Sequence, residues 1–130
     1  MKDNNYKDLL FKEEVYAIIG AAFEVYNNLG HGFLEAVYQE ALAIEFQLRQ
    51  VPFQEQFPVT ITYKKQKLKT EYFADFLCYS KVLVEIKTQD YLVPKNEAQL
   101  INYMHGAKLP LGLLINLGNH LKLEWKRFVL

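Results

Sequence analysis

Residues 72–87, YFADFLCYSKVLVEIK, constrain the architecture of this chain more than any other stretch. Residues 72–79 alternate, with Phe73, Asp75, Leu77 and Tyr79 on one face and Tyr72, Ala74, Phe76 and Cys78 on the other. A period of two with bulky apolar residues is the mark of a strand. Ser80 and Lys81 make a tight connection. Residues 82–87 then alternate again, Val82, Val84 and Ile86 against Leu83, Glu85 and Lys87. A hairpin folded about Ser80 leaves Asp75 and Glu85 equally far from the turn, so the two carboxylates lie opposite or nearly opposite each other. Like charges directly across a strand pair are destabilising, and an unpaired charge among apolar neighbours is costly. Such a pair calls for something positive between its members. Lys87, on the same face as Glu85, is one candidate. A divalent cation is the other, because hard cations take carboxylate oxygens. An exposed edge pair, salt-bridged to Lys87 or Lys81, is the structural alternative for so short a pattern.

The 130 residues suit one domain, 1–130, with its own core. Fifteen Lys and Arg balance fifteen Asp and Glu, so there is no general basic excess to neutralise phosphates, although a local basic patch stays open. The lone cysteine, Cys78, can form no internal disulfide, which fits a reducing compartment. The N-terminus is charged without an apolar leader core, and no run is long enough to span a membrane. A soluble cytoplasmic protein without membrane partners is the expectation.

Residues 1–10 are polar and expected to fray. Residues 11–29 carry Val15, Ile18, Ile19, Ala22, Tyr26 and Leu29 at helical spacing, and Gly30-His31-Gly32 ends that helix. His31, between glycines, reads as a solvent-exposed turn residue rather than a ligand. A second helix is expected over 34–50, with Leu34, Val37, Tyr38, Ala41, Ile44 and Leu48 buried. Glu35 lies at the border of that stripe, where a first-turn glutamate is favoured by the helix dipole. Val51-Pro52 breaks the helix, and 53–63 reads as a strand with Phe57, Val59 and Ile61 on one face. Residues 64–70 hold four lysines and read as a basic turn. Such a turn is a solvated hairpin tip or a contact to a phosphate backbone. After a loop at 88–93, Pro94 opens a third helix to Ala107, in which Gln99 and Tyr103 share a face. Residues 111–117 are a continuous apolar run, a buried strand, and 121–130 alternates as a half-exposed final strand. Strands in succession followed by a helical crossover give a mixed sheet with helices packed on it, an α/β (α+β) class.

The segment GFLEAVY, with Gly32, Glu35 and Tyr38, resembles the GxxExxY pattern that names a family of small bacterial and archaeal proteins. The FADF, VEIK, NEAQLINY and LPLGLLINLG segments are similar to that family too, and the likeness spans nearly the whole chain. The family is placed in the PD-(D/E)XK nuclease-like superfamily, with a restriction-endonuclease-like αβββαβ core, here with one extra N-terminal helix. The resemblance implies roles by position. Asp75 is similar to the metal-binding aspartate, Glu85 and Lys87 to the ExK pair, and Glu35 to the acidic residue of the first core helix that completes the metal site. Gln99 and Tyr103 resemble a substrate-binding QxxxY helix motif. Ala74 stands where proline is usual, as in divergent members.

The chemistry these residues could support is phosphodiester hydrolysis. That reaction needs a cation to polarise the phosphate and acidify a water. Asp75, Glu85, Glu35 and the Ile86 carbonyl supply oxygen ligands for Mg²⁺ or Mn²⁺, and Lys87 can orient or deprotonate the water. Gln99 and Tyr103 can hydrogen-bond a phosphate or a base, or can simply pack. The competing readings are a DNA or RNA nuclease, a nucleic-acid- or protein-binding module that retains the nuclease fold without turnover, and a homodimer-forming structural subunit. The neutral charge and small size favour the module, and the intact acidic set with Lys87 favours the enzyme.

Overall fold

Alternation in the central stretch produces the strands it predicts. In the computed structural model, which describes residues 10–130, β1 spans Phe53–Tyr63, β2 Gln66–Cys78 and β3 Val82–Lys87. With β4 (Leu111–Asn116) and β5 (Glu124–Val129) they form one sheet in the order β1-β2-β3-β4-β5. Pairing is antiparallel throughout except between β3 and β4, which α3 (Pro94–Ala107) joins by a crossover. Two helices precede the sheet, α1 (Lys12–Leu29) and α2 (Glu35–Leu48). The core order αβββαβ and the extra N-terminal helix are therefore as expected. The polar stretch 1–10, apart from Leu10, lies outside the described residues. No helix among the described residues is long and apolar enough to cross a membrane.

The sheet is packed on both faces. On one, Ile18 and Ala22 of α1 and Tyr38, Leu42 and Phe46 of α2 meet Phe76, Val84, Ile86 and Leu113. On the other, Leu100, Tyr103 and Met104 of α3 meet Leu83, Leu114, Val59 and Ala74. The contact between α3 and the β1–β2 hairpin is close: a Cβ on Gly106 would stand 2.9 Å from Val59 Cγ1. Only glycine lets the helix approach the strand this far.

Four expectations are corrected. The buried stripe of α2 is Tyr38, Leu42 and Phe46, whereas Leu34, Val37, Ile44 and Leu48 are exposed. Apolar residues cover most of this helix, so spacing alone fits two overlapping stripes, and packing selects the one bearing the aromatic ring. Phe46 lies edge-on to Phe76 at 5.2 Å and 5.5 Å from Phe53. Such pairs add about 0.5–1.5 kcal/mol each beyond area burial, and they fasten α2 to the root of the β1–β2 hairpin. The basic turn at 64–70 contracts to Lys64 and Lys65, both at positive φ (47° and 64°), a two-residue hairpin loop. Gln66 and Lys67 pair with β1, and residues 68–70 lie within β2 where the ladder is irregular, so the lysines decorate an extended arm. The last strand begins at Glu124 rather than at 121, because the Asn119 side chain accepts the Leu121 N–H at 2.9 Å and turns the chain there.

The fourth correction bears on function. Strict alternation over 72–79 fails at Asp75: Ala74 and Leu77 pack on the α3 side, Phe76 and Cys78 on the α1–α2 side. Opposite Asp75 in the β1 register, Gln56 adopts φ 51°. Phe53 and Phe57 divide between the two faces in the same way. The ribbon thus turns over at Gln56 and Asp75. The β2–β3 ladder runs Cys78↔Val82, Leu77↔Leu83, Phe76↔Val84 and ends there. A gap opens between β2 and β3 where Asp75 and Glu85 would pair next.

Candidate active site

In that gap side chains replace the missing ladder. Glu85 Oε1 accepts the Asp75 backbone N–H at 2.9 Å, and Asp75 Oδ2 accepts the Ile86 backbone N–H at 2.8 Å. The two carboxylates cross between the strands, 9% and 5% exposed. Backbone polar groups alternate in direction along a strand. The Lys87 carbonyl accepts Leu117 N–H on the β4 side at 2.9 Å, so the Ile86 carbonyl points the other way, into the gap with the carboxylates.

Burial raises both acids. Desolvation pushes Asp75 up to about 6, with the charge of Glu35 adding to it and the Ile86 N–H and Lys87 opposing it. Desolvation and then the charge of Asp75 push Glu85 up to about 8. The protein alone therefore holds a proton on this pair near neutral pH. Lys87 is drawn to the same place, and its Nζ donates to Gln99 Oε1 at 2.8 Å. Gln99 Nε2 in turn donates to the Tyr103 hydroxyl at 3.2 Å. Burial, and next the charge of Glu85, raise the Tyr103 phenol. Lys87, Gln99 and Tyr103 thus form one row from β3 to α3 beside the acids.

Glu35 is not gathered into this group. Gly32, at φ 108°, turns the chain into α2, and the buried Tyr38 hydroxyl accepts the Phe33 N–H at 3.3 Å and donates to the Gly30 carbonyl. Gly32 and Tyr38 shape this entry and leave Glu35 exposed on the first turn. Its carboxylate reaches the pair as charge through space. Among the described residues no three His, Cys, Asp or Glu side chains come together as a metal cage. The expected three-carboxylate cluster is a buried pair with the third acid at longer range. His31 is exposed, its ring 6.0 Å from that of His120.

Two polar residues that sequence reasoning passed over position the site. Gln39, one turn beyond Glu35, donates to the Asp75 carbonyl at 3.3 Å and to Glu55 at 3.1 Å, tying α2 to the turned-over ribbon. Asn116, wholly buried, bonds both backbone groups of Gln89 and donates to Glu124. Gln89 donates on to Asn96 Oδ1 at 2.8 Å, and that oxygen also accepts the Val93 N–H at the start of α3. This network sets where α3, and so Gln99, stands against β3. A polar residue inside the apolar run 111–117 was the available signal for Asn116. Gln39 carried none beyond its spacing from Glu35.

The donors in the gap are hard oxygens, two carboxylates and a carbonyl, with excess negative charge. They fit Mg²⁺ or Mn²⁺, which keep several waters and need few protein ligands. The one thiol, Cys78, is pushed up to about 12 by burial and is inert. Beside the gap, β1, β2 and α3 enclose a groove of about 750 Å³, with Gln99 and Tyr103 on its wall. Under the phosphodiester hydrolysis that the sequence resemblance implies, Gln99→Ala is expected to lower cleavage by about 10–100-fold, the loss of a hydrogen bond to a charged group, while the melting temperature stays close to wild type. A collapse in melting temperature with unchanged activity per folded molecule would assign Gln99 to packing instead.

A family model described as the PD-(D/E)XK nuclease superfamily matches residues 12–128. No curated protein matches the chain. Among solved structures, the crystal structure of SSO0001 is similar, with a TM-score of 0.52 at 14% identity, over 98% of this chain and 61% of that one. At that identity the likeness is one of fold. The mixed five-stranded sheet flanked by helices is a restriction-endonuclease-like α+β architecture.

Proposed function

The chain belongs to the PD-(D/E)XK nuclease superfamily, and from that membership we propose that it hydrolyses phosphodiester bonds of DNA or RNA with Mg²⁺ or Mn²⁺. Within the superfamily, Gly32, Glu35 and Tyr38 group it with the GxxExxY proteins. The observation that carries the activity is the crossed pair Asp75–Glu85 in the β2–β3 gap, with Lys87 on the same side. Asp75, Glu85 and the Ile86 carbonyl would hold the cation, with Glu35 adding negative charge from outside. The bound cation supplies phosphate polarisation and an acidified water. Lys87 orients or deprotonates that water, or offsets charge developing on the phosphate. Gln99 holds Lys87 in place, and the Tyr103 hydroxyl is a donor to a phosphate or a base.

Labelled single- and double-stranded DNA and RNA, incubated with and without Mg²⁺ or Mn²⁺, test this reading, with Asp75→Ala as the control. Metal-dependent cleavage that Asp75→Ala loses is the expected result. No cleavage of any substrate, or equal cleavage by the variant, would end it. The exposed position of Glu35 favours a second reading, a nucleic-acid-binding module without turnover. Binding without cleavage in the same assay would select it.

A further inference from the structure

We propose that the groove between the β1–β2 arm and α3 binds a single nucleic-acid strand, with Tyr72 as a platform for an unstacked base. The proposal rests on the nuclease reading for what the strand is presented to, and on the groove itself for the binding. The charged groups on the groove wall are Lys95 and Lys108, and no carboxylate lies among them. In a chain with equal numbers of acids and bases, that is a local surplus of positive charge suited to a phosphate backbone. Neither lysine takes part in an ion pair among the described residues. Lys64, Lys65, Lys67 and Lys69 extend the same sign, exposed, to the tip of the arm.

Tyr72 supplies the apolar half of such a site. It is 44% exposed, and its ring lies 5.6 Å from Tyr103 at 41°. Tyr103 bonds Gln99 and Gln99 bonds Lys87. A base held by Tyr72 is therefore connected through one row of side chains to the acidic pair. A groove of about 750 Å³ is of small-molecule size. It accommodates a nucleotide or two, not a duplex, whose stacked bases offer no free face to a tyrosine. Aromatic stacking beside a basic track is how proteins hold single strands.

Fluorescence anisotropy with labelled oligo-dT, oligo-U and a duplex, in chelator so that nothing is cut, tests the proposal. Single strands should bind more tightly than the duplex. Tyr72→Ala should weaken them by roughly 5–150-fold, the loss of one stacked base, and Tyr72→Phe should restore the affinity. Lys95→Ala with Lys108→Ala should reduce the salt slope by roughly 0.7 for each phosphate that is no longer neutralised. These positions are at the surface, and the lysine pair is an independent readout if Tyr72→Ala folds poorly. Adding oligo-dU, which differs from oligo-U in the sugar alone, identifies which sugar the groove takes. Equal or tighter duplex binding, no binding of any oligomer, or unchanged affinity in Tyr72→Ala would overturn the proposal. Binding in chelator is independent of cleavage, so a chain that binds single strands and cuts none would count against the nuclease reading alone.

Discussion

Lys87→Ala is expected to lower the rate of phosphodiester cleavage by roughly 10²–10⁴-fold, the range for losing a positioned acid–base group, while the fold and cation binding remain. The amine is not a metal ligand in this arrangement, because an ammonium has no lone pair to give. It is held by Gln99 Oε1 at 2.8 Å and lowers the affinity of both Asp75 and Glu85 for their proton. Removing it deletes a positive charge beside the acids, so cation affinity should hold or rise. The competing outcome is structural. If Lys87 only offsets the two carboxylates, the variant melts lower without cation and Mg²⁺ restores it. Melting temperature and cleavage rate, each with and without Mg²⁺, separate these on one protein. A stable, fully active Lys87→Ala would remove Lys87 from both roles.

The parts of this fold that were legible in the sequence are those with a period and a punctuation mark. Strand 53–63 follows Pro52, helix 94–107 opens on Pro94, and 82–87 alternates cleanly after a turn; all three stand at the expected bounds. The opposition of Asp75 and Glu85 followed from counting back from Ser80, since hairpin register is set at the turn. What stayed hidden depends on the third dimension. A helix apolar on most sides, such as α2, does not declare its buried face until something packs on it. The turn-over at Asp75 is a change of face inside a strand, produced with Gln56 of the neighbouring strand, and alternation of one strand alone cannot register it. That turn-over ends the β2–β3 ladder and lets each carboxylate accept a backbone N–H across the gap. Glu35 shows the reverse limit: its motif was visible, but its distance from the pair is set by the loop that Gly32 and Tyr38 shape.

Without a divalent cation, the folded protein is expected to lose stability as pH rises through the window between about pH 4 and about pH 8. Asp75 moves from 3.8 to about 6 on folding and Glu85 from 4.5 to about 8, desolvation being the main cause for each. A carboxyl whose affinity for its proton rises on folding makes the native state bind more protons than the unfolded chain across that interval. Stability then falls with pH there. The contribution is fully present below the unfolded values and gone above the folded ones. A pKa that moves by one costs or contributes about 1.4 kcal/mol, so the pair acting together amounts to several kcal/mol. A cation reverses the slope, because it binds the ionised carboxylates and displaces their proton. Mn²⁺ should therefore stabilise more at about pH 8 than at about pH 5. Its calorimetric heat should depend on the buffer's own protonation enthalpy and vanish in Asp75→Ala. Denaturant midpoints at the two pH values, with and without Mn²⁺, read the effect directly, and Asp75→Asn should flatten it. Stability that is level or rises across the window in the cation-free protein would mean that the crossed carboxylates are solvated and ionised. A cation would then displace no proton from the pair, and its stabilising effect would be the same at the two pH values.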